Sequence, residues 1–322
     1  MIIDAHAHIM TAVNGMTASG PTRSLSWGQV RWGEETIQLL PPFCETTAFP
    51  AEALLAQMDW AGVERAALLQ GPFYGEANAY VASAVERFPD RFMGAFAPDP
   101  LAPDVRQVYE QCVEEYGLRI LKFELTEPTG LTGLHPDLRL DAPEQGWIFE
   151  AAEKDGLVVT LDLGKIGSRA YQTEAVAALA ERHPNLTFVI AHLAQPPIGE
   201  GEDDNVELDD KWSEQILLGR RRNVFFDLSA LPAYAADFDE YPYAAARMYI
   251  KRAVDLIGAE KIMWGADAPG LLTSGSYRQL LNYVRLHCDF LSEAELADVL
   301  GLNALRVYWR ATPHPPAPSP AN

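Results

Sequence analysis

Two histidines near the start of the chain have the spacing of a metal-binding pair. The run Asp4-Ala5-His6-Ala7-His8 follows apolar residues and has the pattern of a β-strand. Side chains on a strand alternate between faces, so Asp4, His6 and His8 are expected to project to one side. Neutral imidazole nitrogens suit zinc and other first-row divalent ions. A lone histidine is more often a core hydrogen-bonding residue, but this His-x-His pair indicates a metal site.

The elements that position this pair follow from the apolar pattern of the whole chain. Short apolar runs alternate with helical patterns, of which the clearest lie at 75–88, 103–116, 144–155, 170–183 and 243–258. Near-continuous apolar strands separated by helices are typical of a parallel sheet buried on both faces. Eight such strands predict a closed (β/α)8 TIM barrel. The predicted strands are 2–8, 65–70, 92–97, 118–124, 157–163, 186–191, 223–228 and 261–266.

Polar residues recur where the predicted strands end. In a (β/α)8 barrel the C-terminal ends of the strands converge on one pocket, so these residues are the site candidates. So many carboxylates in one barrel mouth would raise one another's pKa unless a cation neutralised them, which again favours a metal. The candidates, in chain order, are His6, His8, Gln70, Glu124, Asp162, His192, Asp227 and Asp267.

Three segments interrupt the strand and helix repeat. Residues 9–50 form a long insertion after strand 1, and both an aromatic lid over the barrel mouth and a packed structural excursion are compatible with it. Its aromatic residues are Trp27, Trp32, Phe43 and Phe49. Residues 195–211 are expected to form a second long loop with a solvated acidic run. We therefore predict one barrel domain over 1–311 and a disordered tail over 312–322.

Composition excludes several classes of partner. The 322-residue chain has a formal net charge of −20, which makes nucleic acid an unfavourable partner, and the basic run at 220–222 fits a helix end. No apolar stretch has the length of a membrane span. Three scattered cysteines and the absence of a secretory pattern predict a cytoplasmic protein without disulfides. We expect a small-molecule substrate and a homo-oligomer, a dimer.

Three motifs together resemble the amidohydrolase superfamily, and more narrowly its aminocarboxymuconate-semialdehyde decarboxylase-like branch. They are Asp-x-His-x-His on strand 1, Ile190-Ala191-His192 on strand 6 and Trp264-Gly265-Ala266-Asp267-Ala268-Pro269 on strand 8; the closing segment 301–308 is similar too. The resemblance implies a distorted barrel that holds one divalent ion, zinc or manganese. It makes His6 and His8 ligands, Asp267 a ligand or general base, and His192 a catalytic or ligand residue.

One position departs from that family pattern. Strand 5 of the branch usually ends in a metal-binding histidine, whereas Asp162 occupies the position here. A carboxylate can bind zinc or manganese, and it would make the site harder and more manganese-like; a hydrogen-bonding role is the alternative. Glu124 is a further candidate ligand or base, with Lys122 one layer below as its ion-pair partner. A carboxylated Lys122 bridging two metals is a remoter alternative.

Four residues near the predicted pocket are candidates for binding substrate. Lys165 and Arg169 directly follow strand 5 and could clamp a substrate carboxylate, although exposed cations are more often solvated. The other two are Trp27 in the insertion and Gln70 at the end of strand 2.

The leading functional hypothesis is metal-dependent hydrolysis of a small carbonyl substrate, such as a lactone, cyclic ester or amide. Asp267 would handle the proton of the attacking water, and His192 would stabilise the developing oxyanion. The alternative is non-oxidative decarboxylation of an unsaturated or aromatic acid. A binding protein that has lost catalysis is a third hypothesis, because Asp162 departs from the family pattern.

Overall fold

The computed structural model describes residues 1–199, 202–235 and 238–309. Eight of the strands it contains form one parallel sheet in the order β1-β6-β7-β8-β9-β10-β11-β12. Each of these eight lies within its predicted run, so the strand prediction is confirmed. In chain order, the strands in the described part are β1 (Ile3–Ala7), β2 (Met16–Thr17), β3 (Gly20–Ser24), β4 (Gln29–Trp32), β5 (Glu35–Gln38), β6 (Arg65–Leu68), β7 (Phe92–Phe96), β8 (Ile120–Glu124), β9 (Val158–Asp162), β10 (Thr187–Ile190), β11 (Val224–Asp227) and β12 (Ile262–Met263).

Helices connect the barrel strands, as the parallel topology requires. The helices predicted over 75–88, 103–116, 144–155, 170–183 and 243–258 are α2, α3 with the π-helical turn that continues it, α5, α6 and α9. The α-helices of the described residues are α1 (Ala51–Ala61), α2 (Asn78–Arg87), α3 (Val105–Glu110), α4 (Leu131–Leu134), α5 (Gly146–Lys154), α6 (Thr173–Arg182), α7 (Glu202–Leu217), α8 (Leu231–Tyr234), α9 (Ala244–Ile257), α10 (Tyr277–Arg285), α11 (Glu293–Ala297) and α12 (Asn303–Tyr308). None of these described helices is both long and apolar enough to cross a membrane.

Backbone hydrogen bonds between the first and last strands close the barrel. The Ala5 amide donates to the Trp264 carbonyl at 2.9 Å, and the Asp267 amide donates to the His6 carbonyl at 2.7 Å. At the opposite end, Ala304, Val307 and Tyr308 of α12 pack with Ile3 and other apolar residues inside the barrel. The N-terminal end is therefore filled with side chains, which leaves the C-terminal end as the place for a cavity.

A β-bulge in β1 changes which way its residues point. Asp4 pairs with Ala66 and Ala7 pairs with Leu68, so β1 advances by three residues over a stretch in which β6 advances by two. His6 and His8 both line the barrel mouth. The prediction that Asp4 shares their face is wrong: its carboxylate accepts hydrogen bonds from the Tyr277 hydroxyl at 2.7 Å and the Ala266 amide at 2.9 Å. The extra residue changes the direction in which the histidine side chains point. Asp4 is bonded instead to Ala266, which follows β12, and to Tyr277 of α10.

The insertion after β1 is a structured unit. Its strands β2–β5 form a four-stranded antiparallel sheet, and Trp32, Ile37 and Leu39 from this part of the chain reach the barrel mouth.

The predicted loop over 195–211 is partly wrong, because α7 begins at Glu202. Leu208, Trp212 and Ile216 are four residues apart, so they share one face, and acidic residues are favourable at a helix N-terminus. Residues 200 and 201 of that acidic run lie outside the described residues, as does the predicted tail 312–322.

Candidate metal centre and active site

A cavity of about 410 Å³ opens at the C-terminal end of the barrel. Most of the residues predicted for the site line it: His6, His8, Glu124, Asp162, Lys165, His192 and Asp267. They come from different strands up to 261 positions apart, and the barrel brings their ends together. The structure therefore brings these seven side chains together in one cavity.

His6 at the end of β1 and His8 just after it are each held through Nδ1, which directs Nε2 toward the cavity. Nδ1 of His6 lies 3.0 Å from Oδ2 of Asp227, and Nδ1 of His8 lies 3.0 Å from the Leu69 carbonyl oxygen. Since a carbonyl only accepts, Nδ1 of His8 donates its proton to Leu69, and Nε2 faces Asp267. Nε2 of His6 is buried and has no hydrogen-bond partner among the described residues.

Asp267 lies beside Nε2 of both histidines. Its Oδ1 is 3.1 Å from Nε2 of His8 and 3.8 Å from Nε2 of His6. Burial alone would raise the pKa of Asp267, but the hydrogen bond with His8 and the neighbouring histidines hold it below its usual range. Burial also lowers the pKa of His6 to about 4, so its ring is neutral at pH 7, as metal binding requires. The three donor atoms lie within 4.8 Å of one another, a spacing that one ion could bridge.

Asp227, one of the strand-end candidates, lies outside the cavity lining and supports two of the histidines. Its Oδ2 holds His6, while its Oδ1 accepts hydrogen bonds from the His192 amide at 3.1 Å, the Ser229 amide at 3.1 Å and the Ser229 hydroxyl. His6, His192 and Asp227 also have ligand atoms within 4.8 Å. Because both oxygens of Asp227 are already engaged, it orients His6 as a carboxylate behind a metal ligand does.

His192 is held between a hydroxyl and a carboxylate. The Ser229 hydroxyl donates to Asp227, so it accepts the proton of Nδ1 of His192 at 2.8 Å. Nε2 of His192 lies 3.2 Å from Oδ2 of Asp162. Burial lowers the pKa of His192, but the charge of Asp162, the hydrogen bond to it and the charges of Asp267 and Asp227 together outweigh burial and raise that pKa to about 9. The pair is thus an imidazolium and a carboxylate at neutral pH, an arrangement in which His192 has no lone pair for a metal.

Glu124 faces the same cavity from β8. Burial and the charge of Asp162 raise the pKa of Glu124 to about 7, and the Thr126 hydroxyl donates to it at 3.3 Å. A Cβ atom at Gly71 would lie 1.6 Å from a Glu124 oxygen, so only glycine permits this placement. Neither Glu124 nor Asp162 belongs to the three-residue groups spaced for a metal among the described residues. Lys122 lies in the same lining, buried from solvent.

The four predicted substrate-binding residues are not all brought to the cavity. Lys165 lines it. Arg169 lies outside the lining, and its Nε donates to Oε1 of Glu127, which does line the cavity. Trp27 is 60% exposed, and the Gln70 amide donates to the Ala95 carbonyl within the barrel wall.

Aromatic residues that the sequence did not single out complete the lining. Tyr74 follows β6 by six residues, and Tyr234 ends the short helix α8 after β11. Both lie after strand ends, which is the signal that could have identified them. Trp32 is one of the aromatic residues of the predicted lid. It reaches the cavity, whereas Trp27 does not.

Left-handed backbone recurs at this site. His192, Leu193, Ala194 and Gln195 have φ values of 59°, 49°, 56° and 47°, and Asp267 has 52°. Non-glycine residues rarely adopt these values, and they concentrate at functional sites where packing enforces them. The sharp turn after β10 lets His192 face Asp162 on the neighbouring strand.

Two sequence comparisons found proteins that are similar to this chain. A family model described as amidohydrolase matches residues 3–310. An L-fucono-1,5-lactonase from Burkholderia ambifaria is 31% identical over 139 residues, which are 42% of this chain and 45% of the lactonase. The alignment thus spans less than half of that relative.

Solved structures share the fold at low sequence identity. An amidohydrolase from Burkholderia multivorans is 18% identical, covers 96% of this chain and 99% of its own, and has a TM-score of 0.72 in a crystal form with bound HEPES. Another crystal form of it contains zinc, with a TM-score of 0.69. A 5-carboxyvanillate decarboxylase from Sphingomonas paucimobilis is also 18% identical, with coverage of 96% and 98% and a TM-score of 0.59.

Proposed function

Because this chain belongs to the amidohydrolase family, we propose that it is a metal-dependent hydrolase of a small carbonyl substrate, such as a lactone, a cyclic ester or an amide. The observation that carries the proposal is the convergence of Nε2 of His6, Nε2 of His8 and a carboxylate oxygen of Asp267. The partial match to a lactonase supports lactones within that range.

The three residues fit one divalent ion, zinc or manganese. His6 Nε2 is a buried nitrogen with no partner among the described residues, and the other nitrogen of each histidine is already fixed. Two imidazoles and one carboxylate are a common donor set for a catalytic zinc that keeps a position for substrate or water. When bound, such an ion polarises a carbonyl and lowers the pKa of water.

Asp267 is proposed as the residue that moves the proton. Its carboxylate stays ionised at neutral pH because its pKa is held below the usual range. It would accept a proton from the attacking water and return that proton to the leaving oxygen or nitrogen. The charged His192 lines the same cavity and would stabilise negative charge developing on the carbonyl oxygen.

We also propose Asp162 and Glu124 as additional metal ligands. A series of substitutions distinguishes a ligand from a residue that only supports its neighbours. If Asp162 binds the ion, Asp162→Ala should weaken metal affinity by about 10- to 100-fold, whereas Asp162→His should restore much of it. The hard carboxylate should make wild type favour manganese relative to zinc, and Asp162→His should shift that preference toward zinc.

Titrating the three proteins with both metals measures this effect. Equal affinities across the series would exclude Asp162 as a ligand and leave its ion pair with His192 as its role. Glu124→Gln is titrated in the same way as the Asp162 variants, because it removes the charge of Glu124, the other candidate ligand.

Decarboxylation is the second candidate, and the protonated state of His192 favours it. A buried imidazolium could donate its proton to a substrate carbon as carbon dioxide leaves. Lys122 and Lys165 line the cavity and could bind a substrate carboxylate.

A substrate screen decides between the two reactions. Lactones, cyclic esters and amides are compared with aromatic and muconate-type acids. Proton release reports lactone and ester hydrolysis, amine release reports amide hydrolysis, and carbon dioxide release reports decarboxylation. Proton release from a lactone without carbon dioxide supports the hydrolase; carbon dioxide from an acid alone overturns it. The predicted dimer is checked in the same preparation by sedimentation.

The insertion is proposed to act as a lid over the substrate, with Trp32 as its contact. Trp32→Ala should raise KM about 10-fold, because the apolar surface that the indole covers would be lost from the cavity. Trp27→Ala is the matched control: this tryptophan belongs to the same insertion but is 60% exposed and outside the lining. Steady-state kinetics of both variants measure the effect, and equal KM values would contradict the assignment.

A further inference from the structure

The insertion after β1 and the loop after β6 together form one apolar side of the cavity at the barrel mouth. We call this side the apolar wall, and it consists of Trp32, Ile37, Leu39 and Phe73. Val30 pairs with Ile37 across β4 and β5, so the alternation of side chains places Trp32 and Ile37 on the same face of this hairpin. Leu39 lines the cavity two residues after Ile37. Phe73 joins from the loop, with its ring centroid 6.1 Å from that of Trp32.

Contacting rings connect the apolar wall to the proposed metal centre. Phe73 packs edge-on against Tyr74 with the ring centroids 5.6 Å apart, and Tyr74 packs against His8 at 4.7 Å. Tyr74 also lines the cavity. A ligand whose carbonyl lies beside His8 can therefore extend along Tyr74 onto the wall.

Hydrogen bonds within the protein hold the apolar wall in place. The Thr22 hydroxyl donates to the Phe73 carbonyl at 2.7 Å, which ties the insertion to the loop after β6. The indole Nε1 of Trp32 donates to the Thr17 hydroxyl at 2.9 Å. A surface that is already ordered loses less conformational entropy when it binds a ligand.

The side chains of the apolar wall suit an apolar group better than a hydroxylated one. Ile37, Leu39 and Phe73 carry no side-chain donor or acceptor, and the single donor of Trp32 is already bonded to Thr17. A hydroxyl group buried against these side chains would lose its hydrogen bonds to water without replacement, which costs free energy.

The apolar wall and a group of charged side chains belong to different sectors of the barrel. Glu124 and Asp162 end β8 and β9, and Glu127 and Lys165 follow those strands, whereas the wall follows β1 and β6. In the sheet, β7 lies between the two sectors. An apolar part of a substrate would therefore bind at the wall, away from these charges.

We propose that the apolar wall binds an apolar substituent of the substrate, such as a phenyl ring or a branched alkyl chain, while the reacting carbonyl lies beside His6, His8 and Asp267. This inference rests on the proposed function, because it gives the chemical class of substrate for that same site. Burial of the substituent supplies affinity away from the reacting carbonyl.

The test uses ligands that cannot be hydrolysed and that differ only in one substituent. Cyclohexanone, 3-phenylcyclohexanone and 3-(hydroxymethyl)cyclohexanone retain the six-membered ring and the carbonyl of a δ-lactone, and calorimetry measures their affinities. We expect wild type to bind the phenyl ketone about 10-fold or more tightly than cyclohexanone. The hydroxymethyl ketone should bind no more than about 2-fold more tightly than cyclohexanone. Ile37→Asn and Leu39→Asn each place an amide on the wall and should reduce the phenyl advantage to less than about 3-fold.

Thr36→Asn is the matched control, because Thr36 precedes Ile37 on β5 but is exposed and lies outside the lining. It should keep the full advantage, and circular dichroism verifies that each variant folds. Three results would each overturn the subsite: equal affinity of wild type for cyclohexanone and the phenyl ketone, tighter binding of the hydroxymethyl ketone than of the phenyl ketone, or an unchanged advantage in both wall variants. If the phenyl advantage depends on the wall but no lactone, ester or amide is turned over, the subsite is supported and the proposed hydrolase is the part that fails.

Discussion

His6→Ala is expected to abolish metal binding and to reduce turnover by about 1000-fold or more. The variant removes the one buried ring nitrogen of the site that lacks a partner among the described residues, and with it one of three donor atoms for the ion. Loss of the ion removes several kcal/mol of stabilisation from the charge that develops during reaction. Metal analysis and steady-state kinetics measure the two effects, and circular dichroism tests the fold.

His183→Ala provides a matched control for that experiment. His183 is also buried, its Nδ1 lies 3.0 Å from a carboxylate oxygen of Glu153, and its Nε2 likewise has no partner in the described part of the chain. It lies outside the cavity, so the variant should keep the metal content and rate of wild type. Full metal content and normal turnover in His6→Ala would refute the metal site, as would undiminished activity of metal-stripped wild type.

Asp267→Asn is expected to lower kcat by about 100- to 10,000-fold, because an amide cannot accept the proton of the attacking water. Asparagine has nearly the same shape, and it tolerates the left-handed backbone at this position, where φ is 52°. The barrel should therefore fold normally. Metal content separates the two roles of Asp267: retained metal with low kcat identifies the proton carrier, and lost metal identifies the ligand.

The control for Asp267→Asn is Asp99→Asn. Asp99 lies 2.8 Å from His135, a pair similar to Asp267 and His8, but it is outside the cavity. This variant should keep wild-type kcat. A kcat within about 10-fold of wild type in Asp267→Asn would show that the proton is handled elsewhere, with Glu124 as the next candidate.

The barrel could be predicted from the sequence because its strands are buried on both faces. That burial makes each strand a short, nearly continuous apolar run, which is visible without any partner. Polar residues at the ends of those runs were then identifiable as site candidates, since a parallel barrel brings all strand ends to one face. His6, His8, Asp162, His192 and Asp267 were found in this way.

The local sequence pattern was less informative about secondary structure and side-chain direction in two segments. The acidic run before Leu208 suggested a solvated loop, although the four-residue spacing of Leu208, Trp212 and Ile216 predicts a helix face. Simple alternation along a regular strand predicts that Asp4 shares the face of His6, and the structure does not follow that prediction. The bulge that breaks this alternation depends on pairing with β6, which no property of residues 3–8 encodes.

The sequence by itself determined which residue types stand at the strand ends and that the strands form a barrel. Only the tertiary structure decided which atoms meet. Asp227 supports His6 from 221 positions away, and Arg169 is paired with Glu127 instead of reaching the cavity. Trp32 reaches the cavity where Trp27 does not. The physical reason is that hydrogen bonds and side-chain contacts act over a few ångströms, whereas their partners are set by barrel closure and loop packing over the whole chain.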